Sequence, residues 1–199
     1  MSDDPRFIAW ELGARAARAE GAEQDTLFEA MFDAYEAIAD SPMDPGNDDG
    51  PFCAVVRHLS LEQTRRALRL LKRMAPYPWV YRLGGSRAAL IGRLAALGQE
   101  DEARAELRHF DGADPFAPHW LAVAHGHLVA HGSGSPRERM DAVPELDDEA
   151  RFRVLDTAFV ALAKEPKRDI EEWTAEAKRL HSPRLRELAL GYLADLWTE

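Results

Sequence analysis

Four histidines, His119, His125, His127 and His131, fall within the stretch HWLAVAHGHLVAHG. Imidazole is the side chain best suited to hold a transition metal or to move protons near neutral pH. Spacing decides how many of the four can act together. On a helix, positions four or seven apart share a face. His127 and His131 therefore lie with Trp120, while His125 points elsewhere and His119 sits near the helix start. His127 and His131 have the i, i+4 spacing that supplies two metal ligands. A zinc protease needs Glu directly after the first of them, and Leu128 stands there. The sequence names no third ligand. A metal- or small-ligand site at His127 and His131, catalytic or not, is thus the alternative reading and not the leading one.

Other chemistries leave less trace. Gly84-Gly85-Ser86 lacks the lysine and the preceding strand of a phosphate-cradling loop, and no nucleophile elbow or Cys-His motif occurs. The single cysteine, Cys53, lies in the apolar run PFCAVV with no activating base nearby in sequence, so a buried structural thiol is expected. The acidic segment 41–51 fails as a calcium loop: counted from Pro45, the first ligand is missing and position twelve is Val56. Carboxylates are plentiful, but no spacing singles out a pair. The expectation is a protein that is not an enzyme and needs no cofactor.

The elements that must carry these residues are helices. Val, Ile and Thr are sparse, and no period-2 alternation lasts long enough for a strand. Ser60 with Gln63, Ser135-Pro136 with Glu138, and Ser182-Pro183 read as helix starts. Breaks are expected at 41–51, 75–78, 84–85, 112–118, 132–136 and 164–167. They divide the chain into about nine helices, an all-α fold. No apolar stretch approaches the roughly 20 residues of a membrane span, and the acidic start MSDDPRFIAW lacks a signal-peptide layout. With one cysteine, a reducing cytoplasm is the expected setting; arginine in excess of lysine suggests a bacterial source.

The formal net charge is −10, which argues against nucleic acid as a partner. The charge is uneven. Residues 19–56 hold ten acids and no Lys or Arg, whereas residues 57–93 hold nine basic residues and one acid, Glu62. Either the two segments neutralise each other, or the acidic one steers a basic partner. The stripe Arg65, Arg69 and Arg73, with Arg66 and Lys72 beside it, reads as a solvated face or as the mate of the acidic segment.

A repeat underlies the helices. Gly92, Gly126, Ala158 and Gly191 align at spacings of 34, 32 and 33, followed two positions later by Leu94, Leu128, Val160 and Leu193. The ends of the intervening helices align at Met74, Phe110, Val143 and Leu180. A helix pair of this period cannot bury its apolar face alone, so stacked pairs share a core. The segment IGRLAALGQEDEARAELRHFDGADPF (91–116) resembles a tetratricopeptide repeat. Ile91-Gly92, Gly98, Ala103 and Pro115 fill that family's roles, with the turn one residue short. Leu190-Gly191 and Leu12-Gly13 echo its first-helix element, and the likeness covers roughly residues 60–199.

The resemblance implies a right-handed α-solenoid of antiparallel helix pairs. Residues 52–199 would form the array and residues 1–50 a divergent N-terminal helical pair with the acidic loop 41–51, within one helical domain, 1–199. It also implies that the first-helix surface holds a ligand segment. Arg93, His127, Phe159 and Tyr192 share a column on that surface, and Trp120 and Phe152 lie one heptad before two of them. These six are the candidate partner-binding residues; for Phe152 and Phe159 the competing role is packing against the next helix. The expected function is protein–protein interaction through a helical-repeat scaffold, with a basic surface or peptide as partner. One form of it is an acidic, immunity- or inhibitor-like protein. The apolar columns would also suit a homo-oligomer interface.

Overall fold

The structure, a computed structural model, describes residues 4–39, 52–74, 83–110, 115–144, 146–163 and 169–197. The described residues form ten α-helices and no strand. These are α1 (Pro5–Ala16), α2 (Gly21–Ala39), α3 (Leu61–Met74), α4 (Leu83–Ala96), α5 (Glu100–Glu106), α6 (Ala117–His131), α7 (Pro136–Asp141), α8 (Asp148–Leu162), α9 (Ile170–Lys178) and α10 (Pro183–Trp197). Short 3-10 turns lie at Val56–His58 and Leu107–His109. The acidic loop 41–51 falls outside the described residues, as do the breaks at 75–78 and 164–167.

The capping residues start the helices as their chemistry requires. Ser60 Oγ accepts from Gln63 N at 3.3 Å while Gln63 Oε1 accepts from Ser60 N at 2.9 Å. Ser135 and Glu138 exchange the same two bonds. Asp147 accepts from Ala150 N at 2.8 Å, and Ser182 Oγ from Leu185 N at 3.4 Å. Each satisfies an amide that the first helical turn leaves free. Gly98 ends the turn after α4 with φ of 76°, a conformation a side chain resists. The break expected at Gly84-Gly85 does not occur. Both glycines lie inside α4 because Gly84 is a seat for Trp120: a Cβ there would meet the indole Cδ1 at 2.2 Å.

Packing is between near neighbours in the chain. α4, α6, α8 and α10 lie in a row, each against the next, while α5 contacts α4 and α6, α7 contacts α6 and α9, and α9 contacts α10. α1 packs on α2, α2 on α3, and α3 on α4. Trp120 covers Gly84 and His127 covers Gly92, so α4 and α6 run in the same direction. The seam between α6 and α8 repeats the device, with Thr157 over Gly126.

Two hydrophobic cores result. One joins the N-terminal helices to α4 and takes in Ala124 and Leu128 of α6. The other runs from Ala122, Val129 and Ala130 of α6 to Leu193 of α10. α6 is the shared wall, which is why it is apolar on most sides.

Burial corrects the repeat register at α8. Val160, aligned with Leu94, Leu128 and Leu193, is 64% exposed, while those three are 0%, 2% and 3% exposed. Phe159 is fully buried. Moving α8 by one residue sets Phe159 level with Gly92 and Gly126, and Val160 level with Arg93 and His127. The reason is a swap of parts. α4 and α6 offer a glycine and receive a side chain, whereas α8 supplies the ring itself, Phe159, edge-on to Trp173 of α9 at 5.7 Å.

Candidate functional site

With that register, three rows of the α4–α6–α8–α10 layer remain partly or fully exposed on every helix. They are Gly85, His119, Phe152 and Arg184; Ala89, Val123, Asp156 and Leu188; and Arg93, His127, Val160 and Tyr192. Positions i, i+4 and i+8 share a helix face, so the rows join into a stripe crossing four helices. One row beside it is closed on α4, α6 and α8: Ala88, Ala122 and Leu155 are 0%, 2% and 0% exposed.

Four of the six candidate residues, Arg93, His127, Phe152 and Tyr192, lie on this stripe. Arg93 is half-buried, and its Nε donates to the Leu59 carbonyl at 2.8 Å, tying α4 to the end of the preceding 3-10 turn. His127 lies against α4: a Cβ at Gly92 would stand 2.6 Å from its Cγ. Burial, and then the nearby His131, push its imidazole down to about 4, so the ring is neutral near pH 7. Phe152 and Tyr192 bring their rings to 6.2 Å across the α8–α10 seam. Trp120 sits beside the stripe in the α4–α6 seam, its Nε1 buried and without a hydrogen bond among the described residues. Phe159 belongs to the core, the competing role considered for it, and Val160 stands in its place.

The remaining histidines separate. His125 is 5% exposed, and burial lowers its pKa. His119 stacks edge-on to Trp120 at 4.5 Å. Among the described residues no three His, Cys, Asp or Glu side chains form a group that could hold a metal ion. Cys53 is half-buried, with Sγ 3.7 Å from Ser86 Oγ.

The uneven charge resolves in part internally. Arg66 of α3 reaches Glu29, Asp33 and Glu36 of α2 at 2.7, 3.0 and 2.9 Å, and its guanidinium lies 4.8 Å from the Phe32 ring centroid. Arg65 pairs with Glu102 at 2.8 Å. Glu20, Glu23 and Asp25 stay exposed.

Sequence reasoning missed a column of buried charge. Four residues before the aligned helix ends stand Leu70, Glu106, Arg139 and Glu176, all buried. Glu106 accepts from Lys72 at 2.8 Å and Arg87 at 3.2 Å. Glu176 accepts from Arg151 at 2.9 Å and Arg179 at 3.0 Å, and Arg179 also reaches Asp141. Arg139 donates to the Ala130 carbonyl at 2.8 Å and lies over Trp173. The signal was present, since the column mixes charge with Leu70, but a charged residue on a short helix reads as solvated.

A cleft of about 390 Å³ opens between α7, the segment entering α8, and the α9–α10 turn. Its charged groups are committed to one another: Arg179 to Asp141, and Asp148 to His181 and the Ser182 amide.

No helix of the described residues is long and apolar enough to cross a membrane. The chain matches no protein-family model, no curated protein and no solved structure.

Proposed function

We propose that this chain is a non-catalytic protein–protein interaction module. In this reading it is a right-handed α-solenoid of antiparallel, tetratricopeptide-like helix pairs. The stripe on α4, α6, α8 and α10 holds a peptide or helix of another protein. One observation carries the reading: the same face stays partly or fully exposed on α4, α6, α8 and α10, and its residues change from helix to helix, while Ala88, Ala122 and Leu155 of the buried column are small or aliphatic. A packed core needs uniform filling, whereas a recognition surface needs variety. The bonds between units support the repeat. Arg65 to Glu102, Lys72 to Glu106, Arg93 to Leu59, Ser133 to Glu100 and Ser182 to Asp148 span 37, 34, 34, 33 and 34 residues.

The net charge of −10 suits a partner with a basic surface, and the exposed acids of α2 would speed the encounter. An inhibitor- or immunity-like protein of the cytoplasm is the form this reading takes.

Affinity capture from a native lysate tests it, with wild type beside the double variant Val160→Glu and Tyr192→Ala. These side chains are 64% and 41% exposed, so the variant should fold. Trp120 and His127 are poorer choices because they fill seats on α4. A protein retained by wild type and lost by the variant, with equal melting curves, is the expected result. A partner retained by both, but released by Glu23→Lys with Asp25→Lys, would move recognition to the acidic helix and overturn the stripe. Raising salt should weaken any charge-steered partner.

A further inference from the structure

Asp156 stands on the stripe between Phe152 one turn before it and Val160 one turn after it. A half-buried carboxylate loses hydration and is normally compensated by a hydrogen bond or a cation. Among the described residues Asp156 has no hydrogen bond and no cation in direct contact. Burial pushes its carboxyl above the ordinary value, and Arg153 opposes this only through space. Three other carboxylates drawn from water are held differently: half-buried Glu100 by Ser133 and Arg104, half-buried Asp148 by Ser182 and His181, and buried Glu176 by two arginines. On α4, Arg93 is turned to the Leu59 carbonyl.

We propose, resting on the reading of the stripe as a protein-binding face, that Asp156 receives a lysine or arginine side chain of the bound segment. Apolar residues on either side of that cation lie against Val123, Phe152 and Val160. The segment supplies the direct ion pair that the free protein lacks, and an acidic residue at the same point is rejected by like charge. The overall charge of −10 acts in the same direction at longer range.

Selection from a random peptide display library against the full chain tests this, in parallel for wild type, Asp156→Asn, Asp156→Lys and Val160→Glu. Peptides selected on wild type should share a Lys or Arg flanked by apolar residues. They should bind Asp156→Asn about tenfold more weakly, the size of one desolvated charge contact. Asp156→Lys should instead select Asp or Glu at that point. Asp156→Asn should melt at or above wild type, because it removes a half-buried charge whose desolvation outweighs the pull of Arg153; a lower melting point would mark a structural role and overturn the proposal. Selected peptides without a basic consensus, or indifferent to Asp156→Asn yet lost on Val160→Glu, would overturn the role of Asp156 and leave the binding face standing. A selection yielding nothing that Val160→Glu disturbs would overturn both.

Discussion

Glu176 shows how single residues hold this fold. It is 1% exposed and lies between Arg151 of α8 and Arg179, the residue that caps the end of α9. Truncation to Ala would leave Arg151 partly buried without its carboxylate. Such losses cost about 3–5 kcal/mol, and denaturant titration should show a fall of that order. The exposed pair of Arg69 with Glu62, by contrast, should cost well under about 1 kcal/mol when broken. His127 gives a test with a sign. Its folded value is about 4, set first by burial and then by His131, against about 6.5 in an unfolded chain. The unfolded state takes up the proton first, so the contribution of this group is whole above about pH 6.5 and is lost as pH falls towards about 4. Between about pH 7 and pH 4.5 the loss should reach about 2–3 kcal/mol. His127→Gln should remove that part of the pH dependence, whatever it does to absolute stability.

At the scale of elements, the seams turn on what faces each glycine. A Cβ at Gly126 would stand 2.5 Å from Thr157 Cβ and 2.7 Å from the Val154 carbonyl oxygen, so Gly126→Ala should cost about 1–3 kcal/mol. Gly191 occupies the same column on α10, yet nothing lies within 4 Å of its Cβ position. There Ala relieves the helix penalty of glycine, and Gly191→Ala should stabilise by about 0.5–1 kcal/mol. Thermal melts of the two variants should move in opposite directions. The helices, their caps and the glycine seats of α4 and α6 were legible because each depends on local chemistry: Ser60 with Gln63, Ser135 with Glu138, Gly92 with its spacing to Gly126. The register of α8 was not. Ala158 looks like the next small residue, and only the side chains covering α8 reveal that Phe159 holds the position. For the same reason Arg93, His127, Phe152 and Tyr192 could be drawn from sequence onto one face, while Asp156 and Val160 could not.

Across the whole molecule, two cores meet at α6, and α10 ends the row. Its outward residues Glu187 and Gly191 are exposed, where α4, α6 and α8 bury the same columns. The division should be visible in hydrogen exchange: Leu155→Ala, a cavity in the second core, should speed exchange in α8, α9 and α10 far more than in α1 to α3. Uniform acceleration would show that the two cores open as one. The extensive helix contacts all join elements no more than two helices apart in chain order. A chain leaving the ribosome thus meets each helix's neighbours soon after that helix emerges. Assembly can keep pace with synthesis, each pair docking on the last while the rest is still unmade.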